Sequence, residues 1–166
     1  MIIGMPIYND VDLLDVAGPR EMFNWMKSKD HPVDLIVAAE KVGTVVTRDG
    51  LGIQAPVAFA DAPQFDVLWI PGGDVVALRW LMQNEPGRPY LHFLAKQAAK
   101  AKIVASVCEG ALLAAAAGLL DGYSATTHWA FVGCLKKFPK VNVVDGLPRY
   151  VFDRNRLTGG GISSGL

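Results

Sequence analysis

Four short apolar runs recur along the chain, and the segments between them carry helical spacing. "MIIGMPIY", "PVDLIVAAE", "FDVLWIPGGD" and "KIVASV" are each nearly free of charge. Neighbouring side chains of a strand point to opposite sides of the sheet, so a strand apolar at successive positions is buried on both faces. Such strands separated by helices are the pattern of a mostly parallel sheet covered on both sides. The expected fold is therefore α/β: a three-layer α/β/α sandwich with a mostly parallel sheet.

The remaining segments fill in this frame. "NDVDLLDVAGPREMFNWMKSK" reads as a loop and then a helix. Pro19 is expected in its first turn, where a missing N–H does no harm. "VGTVVTRDGLGIQA" reads as a hairpin around Asp49-Gly50. Helical patterns follow Asp74 and cover 88–100, and another follows Cys108 until Gly118 and Gly122 end it. "YSATTHW" reads as a short strand with a turn, and "AFVGCLKKF" as a helix. "VNVV" and "RYVFDRNRLTGGG" close the chain as strands, with a polar turn at 153–156. There is no internal repeat, low-complexity tract or linker, so residues 1–166 are expected to form one domain. A chain of this size buries about two-thirds of its unfolded surface.

Composition narrows the function classes. The chain is 51% hydrophobic with a mean hydropathy of +0.26, high for a soluble protein. Yet its longest uncharged apolar run, 110–120, falls well short of the roughly 20 residues that cross a bilayer, and it reads as a buried core helix. Lys+Arg and Asp+Glu both number 16, with no basic stripe. Neither a nucleic-acid nor a membrane partner is expected. "MIIGMPIYND" carries no cationic stretch or cleavage signal, so a cytoplasmic location is expected. The two cysteines, Cys108 and Cys134, form no CxxC and no zinc spacing. Neither a metal nor a disulfide framework is expected.

Open parallel sheets place their sites beyond the carboxyl ends of the strands. Three loops here answer that description: "PGGD", "SVCEG" and "TTHW". In "SVCEG" a strand turns sharply into a helix, the layout of a nucleophile elbow, with Ser106 and Gly110 as the small neighbours the turn demands. A helix N-terminus favours a thiolate and would lower the pKa of Cys108. In "PGGD" the N–H groups of Gly72 and Gly73, with that of Glu109, would hold a developing negative charge. His128 in "TTHW" would serve as base or proton shuttle. Asp15, set among apolar residues in "VDLLDVAGP", needs a partner or becomes neutral. Each feature has a plainer reading: a core cysteine, a tight turn, a structural histidine, a helix N-cap. Their convergence on one end of the sheet favours the functional one. His31 and His92 read as surface or packing residues, and Cys134 reads as core.

These residues resemble the ThiJ/PfpI superfamily, whose fold is similar to that of class I glutamine amidotransferases. The matching stretches are "DLLDVAGPREMF", "DVLWIPGG", "SVCEGALLAAAAGLLDG", "SATTHW" and "LTGGGISSGL", in family order over nearly the whole chain. Their wording is most similar to the isocyanide hydratase branch. Close to it lie the amidase-like domains of certain AraC-type regulators. The resemblance implies that Cys108 is the elbow nucleophile and Asp15 its acidic partner. Gly72, Gly73, Gly110 and the backbone after Cys108 would shape the anion-binding side, and Ile162 would add backbone contacts. His128 matches the histidine of the superfamily, although the hydratases work with cysteine and aspartate. The resemblance further implies a homodimer, a small electrophile as substrate and no cofactor.

The implied chemistry is addition of water to an isocyanide through a thioimidate on Cys108, giving an N-formamide. Two features depart from the branch. Glu109 stands where the hydratases carry threonine. A carboxylate about 5 Å from the sulfur opposes thiolate formation by ~3 kcal/mol at an effective dielectric near 20. A protonated Glu109 would instead donate a hydrogen bond. The second departure is the end of the chain, "GGGISSGL", where family members continue with a helix that packs on the sheet; that helix is expected to be missing. Two other readings stay open. One is a related hydrolase or glyoxalase-type enzyme with His128 as base. The other is a non-catalytic domain in which Cys108 senses oxidants or the pocket binds a ligand.

Overall fold

The computed structural model describes residues 1–28, 30, 32–83 and 88–163. Its core is a seven-stranded sheet. In chain order the strands are β1 (Ile2–Pro6), β2 (Asp34–Ala39), β5 (Val57–Ala58), β6 (Val67–Ile70), β7 (Ile103–Val107), β10 (Tyr150–Asp153) and β11 (Arg156–Gly159). Across the sheet they run β10-β11-β7-β6-β1-β2-β5, and every neighbouring pair except β10–β11 is parallel. The mostly parallel α/β sandwich expected from the apolar runs is the fold observed, and it is flavodoxin-like.

The hairpin expected around Asp49-Gly50 is present as β3 (Gly43–Val46) and β4 (Gly52–Ala55), antiparallel and apart from the main sheet. A second small sheet pairs β8 (Ser124–Ala125) with β9 (Asn142–Val143). The helices are α1 (Leu13–Trp25), α2 (Val75–Gln83), α3 (Arg88–Ala98), α4 (Gly110–Ala116) and α5 (Val132–Leu135). Helices α2, α3 and α4 pack on one another, and α3 and α4 lie against β6. In β6, Trp69 turns toward α1, where its ring meets Phe23 edge-on at 5.5 Å. By alternation Leu68 and Ile70 face the other way. All three are buried, so β6 is covered on both sides. At the β10 edge, Tyr150 and Phe152 share one face and are exposed; none of the described residues buries them.

Two local expectations are corrected. Helix α1 starts at Leu13 rather than near Pro19, which leaves Pro19 inside the helix. A proline there removes the bond from its own nitrogen to the carbonyl four residues earlier, that of Asp15. The helix continues because Trp69 Nε1 donates to that carbonyl at 2.9 Å. Cys134 is exposed rather than core. In the short helix α5, Leu135 is the residue turned inward, and the helical step carries its neighbour Cys134 outward.

Candidate active site

Strands β7, β6 and β1 are neighbours. From β1 the chain passes to β2 on one side, and from β6 to β7 on the other. This reversal opens a crevice at the carboxyl ends, where sites of such sheets form. The loops leaving these three strands carry Asp12 and Asp15, Gly72 and Gly73, and Cys108 and Glu109.

Cys108 sits between β7 and α4 with φ 55°. A non-glycine residue there costs about 1–3 kcal/mol and persists only where neighbours hold it. Its N–H donates to Gly159 O at 3.1 Å. Its carbonyl accepts from Thr127 Oγ1 at 2.7 Å and from His128 N at 3.4 Å. A side chain on Gly110 would meet Ile70 O at 2.2 Å, so that glycine lets α4 leave close beside β6. The sulfur faces Gly161, where an added Cβ would lie 2.6 Å from Sγ.

Asp15 is buried, 2% exposed, in the first turn of α1. Its Oδ2 accepts from Gly72 N at 2.8 Å, while its Oδ1 has no hydrogen-bond partner. Burial pushes its pKa up to about 7 against the lowering effect of the Gly72 bond, with Asp12 and Glu109 adding repulsion. Asp12 precedes the helix, and Arg48 Nε from the hairpin lies 3.0 Å from its Oδ1. Burial raises its pKa too, and Arg48 opposes this. Ligand-type atoms of Asp12, Asp15 and Cys108 all lie within 4.8 Å of one another. Among the described residues this is the group with the donors to hold a metal ion.

Glu109 is 5% exposed, and its carboxyl is among the groups that raise the pKa of the Cys108 thiol. Its Oε2 has no hydrogen-bond partner. An added Cβ on Gly72 would lie 2.7 Å from that oxygen and 2.9 Å from Asp15 Oδ2, so the glycine lets two carboxyls crowd one point. The thiol, 1% exposed, is accordingly pushed up in pKa. Burial is the largest cause, then hydrogen bonding with the Glu109 side chain, then the Asp15 and Glu109 charges. This reverses the lowering expected at a helix N-terminus. The helix dipole acts over one turn of partial charge, whereas lost water and the neighbouring Glu109 and Asp15 carboxyls act directly on the sulfur.

The other residues picked out from the sequence fall as follows. The N–H of Gly72 is given to Asp15, and Gly73 packs against the backbone of Asp10 and Val11, joined to the latter by a β-bridge. His128 reaches Cys108 through its main chain, while its Nδ1 accepts from Ala130 N at 3.3 Å and caps the turn at 129–131. Ile162 is exposed, and its neighbour Gly161 takes the place against the sulfur. His92 is exposed on α3, and His31 lies outside the described residues. Asp12, Arg48, Trp69, Thr127 and Gly161 were not singled out beforehand. Only Asp12 carried a signal, its place one turn before Asp15.

A cleft of about 270 Å³ is lined by Thr127, Trp129, Leu147, Pro148, Arg149, Gly160 and Gly161; it reaches the site through Gly161, which packs on the sulfur, and Cys108 itself is not in its lining. A larger cavity of about 580 Å³, lined by Tyr8, Phe59, Trp80 and Tyr90 among others, touches none of Cys108, Asp15 and Glu109.

Known proteins share this fold. The chain is 37% identical to an isonitrile hydratase of Pseudomonas putida, over 99% of its own length and 67% of that protein. It is 33% identical to the HTH-type transcriptional regulator GbdR of Pseudomonas aeruginosa, over 86% of its length and 34% of the regulator. A solved ThiJ/PfpI family protein from Pseudomonas syringae superposes with a TM-score of 0.85 at 33% identity, covering 99% of this chain and 64% of that one. The chain thus spans about two-thirds of the hydratase and one-third of the regulator. The sequence profile of the DJ-1/PfpI family matches residues 2–165, and the chain belongs to that family.

Proposed function

We propose that this chain is a cysteine-dependent hydratase that adds water to an isocyanide and releases an N-formamide. The observation that carries the reading is the buried, half-satisfied carboxyl of Asp15 grouped within 4.8 Å of Cys108, with a pKa of about 7. A carboxyl poised near neutrality both accepts and returns a proton.

Cys108 Sγ attacks the terminal carbon of the isocyanide, and an S–C bond forms. The thiol proton passes through Asp15 to that same carbon, giving a thioimidate. Asp15 then takes a proton from water as its oxygen bonds to the carbon. The C–S bond breaks, the nitrogen gains a proton and the thiol regains its own. Nothing is oxidised or reduced. The cleft beside Gly161, with Trp129, Leu147 and Pro148, suits the apolar body of a small isocyanide. Similarity to the Pseudomonas putida hydratase supports the same reaction.

The homodimer belongs to this reading, and the exposed Met22 and Trp25 on α1, with Met26 just past its end, support it. The test is formamide production from an aromatic isocyanide, with Cys108→Ala and Asp15→Asn beside the wild type. Turnover in the wild type and its loss in both variants is expected. One observation favours a second reading, as a ligand-binding domain without turnover: burial and the Glu109 and Asp15 carboxyls push the Cys108 pKa up, which opposes thiolate chemistry. Similarity to GbdR accords with it. Absent turnover with a Cys108 that resists alkylation at neutral pH would select that reading, whereas selective peroxide oxidation without turnover would point to a redox sensor.

A further inference from the structure

Pro19 lies on the seventh position of α1, well past the turn in which proline is harmless. Its ring nitrogen carries no hydrogen, so the Asp15 carbonyl loses the donor that a helix would supply. That carbonyl is buried, and a buried acceptor without a donor is strongly disfavoured. Trp69, on the central strand β6, supplies one through Nε1 at 2.9 Å. Phe23, one helical turn beyond Pro19, meets the indole edge-on and holds it in place.

The same residue, Asp15, sends its carboxyl to Gly72, just past the end of β6. Asp15 is thus gripped twice from this strand and its turn: the Trp69 side chain donates to its main-chain carbonyl, and the Gly72 main chain donates to its carboxyl. Elsewhere a helix fixes its own first turn through its own N–H groups. Here proline has taken that donor away and the sheet has replaced it. The position of the acid is therefore referred to β6, whose neighbour β7 carries Cys108.

We infer that Trp69 is a positioning residue for Asp15: its indole N–H substitutes for the amide that Pro19 lacks and locks the acid to the strand beside the nucleophile. The inference rests on the reading of Asp15 as the acid that works with Cys108. Its consequence is a specific repair. In Trp69→Phe the carbonyl has no donor. Adding Pro19→Ala supplies a peptide N–H four residues on, and the ordinary helical bond forms without the indole.

The experiment compares wild type, Trp69→Phe and the double variant Trp69→Phe/Pro19→Ala, all in a Cys134→Ser background so that Cys108 alone is alkylated. The rate of iodoacetamide alkylation is followed against pH, and the inflection abolished by Asp15→Asn marks the acid. Trp69→Phe is expected to move that inflection to lower pH, as the loosened carboxyl reaches water. It is also expected to lower kcat on an aromatic isocyanide about tenfold with KM little changed. Pro19→Ala should restore both. Loss of ring volume is common to the single and double variants, so packing alone cannot produce the repair. Should Phe at 69 prevent folding, benzothienylalanine replaces the indole N–H by sulfur in a ring of the same shape.

The inference is overturned if the wild type has no Asp15-dependent inflection, if loss of the N–H leaves the profile unchanged, or if Pro19→Ala fails to repair it. Absence of isocyanide turnover in the wild type removes the hydratase reading alone, because the alkylation profile needs no turnover.

Discussion

The amide of Gly72 donates to Asp15 Oδ2 at 2.8 Å, so the turn after β6 holds the acid instead of facing an incoming anion. A glycine is required because a Cβ at that point would strike both Asp15 and Glu109. The anion-stabilising work read from "PGGD" thus falls on a carboxyl already present in the protein.

Folding stability follows the proton on Asp15. Its carboxyl titrates near 4 when unfolded and at about 7 in the folded chain. The native state binds the proton more tightly, so this contribution is fully present below about pH 4 and is lost as pH rises toward 7, by up to ~4 kcal/mol. Urea unfolding at pH 5 and pH 8 should show wild type losing more stability than Asp15→Asn. Parallel behaviour of the two proteins would rule out a raised Asp15.

Reactivity of the thiol is held down by Glu109. Glu109→Gln removes a buried carboxyl that raises the thiol, so the Cys108 pKa falls. Alkylation at neutral pH should accelerate about tenfold or more, since each ~1.4 kcal/mol of relieved repulsion is a factor of ten. Equal rates in the two proteins would take Glu109 out of the account.

Gly161 has φ 56° and no room for a methyl group beside the sulfur. Gly161→Ala should destabilise the fold by roughly 1–3 kcal/mol and shift Cys108 off its corner. Thermal unfolding and alkylation read the two effects separately. A variant as stable and as reactive as wild type would contradict the packing.

His128 and Asp15 make opposite predictions for the two enzymatic readings. His128→Ala removes a local cap and a ring beside Trp129, and turnover should stay within about tenfold of wild type, the size of a lost supporting contact. Asp15→Asn should abolish it. A Cys–His hydrolase would give the reverse order under the same assay.

Much of this was legible in the chain itself. The apolar runs determined a parallel sheet because only strands covered on both faces are uniformly apolar. "SVCEG" determined a sharp strand-to-helix corner because small residues flank the thiol on both sides. The motif order along the chain brought Asp15, the "PGG" turn and Cys108 to one end of that sheet. Pro19 misled, since proline normally marks a helix start and local spacing does not reveal a donor supplied from 54 residues away.

Tertiary structure decided what each group does there. Which way the Gly72 N–H points, that Arg48 pairs with Asp12, and that Gly161 rather than Ile162 meets the sulfur are all contacts between distant segments. Ionisation depends on burial and on charges a few ångströms away, neither of which is a property of local sequence. The chain therefore specified the corner and its residues. Packing decided that the thiol there is raised in pKa and that Asp15 titrates near neutrality.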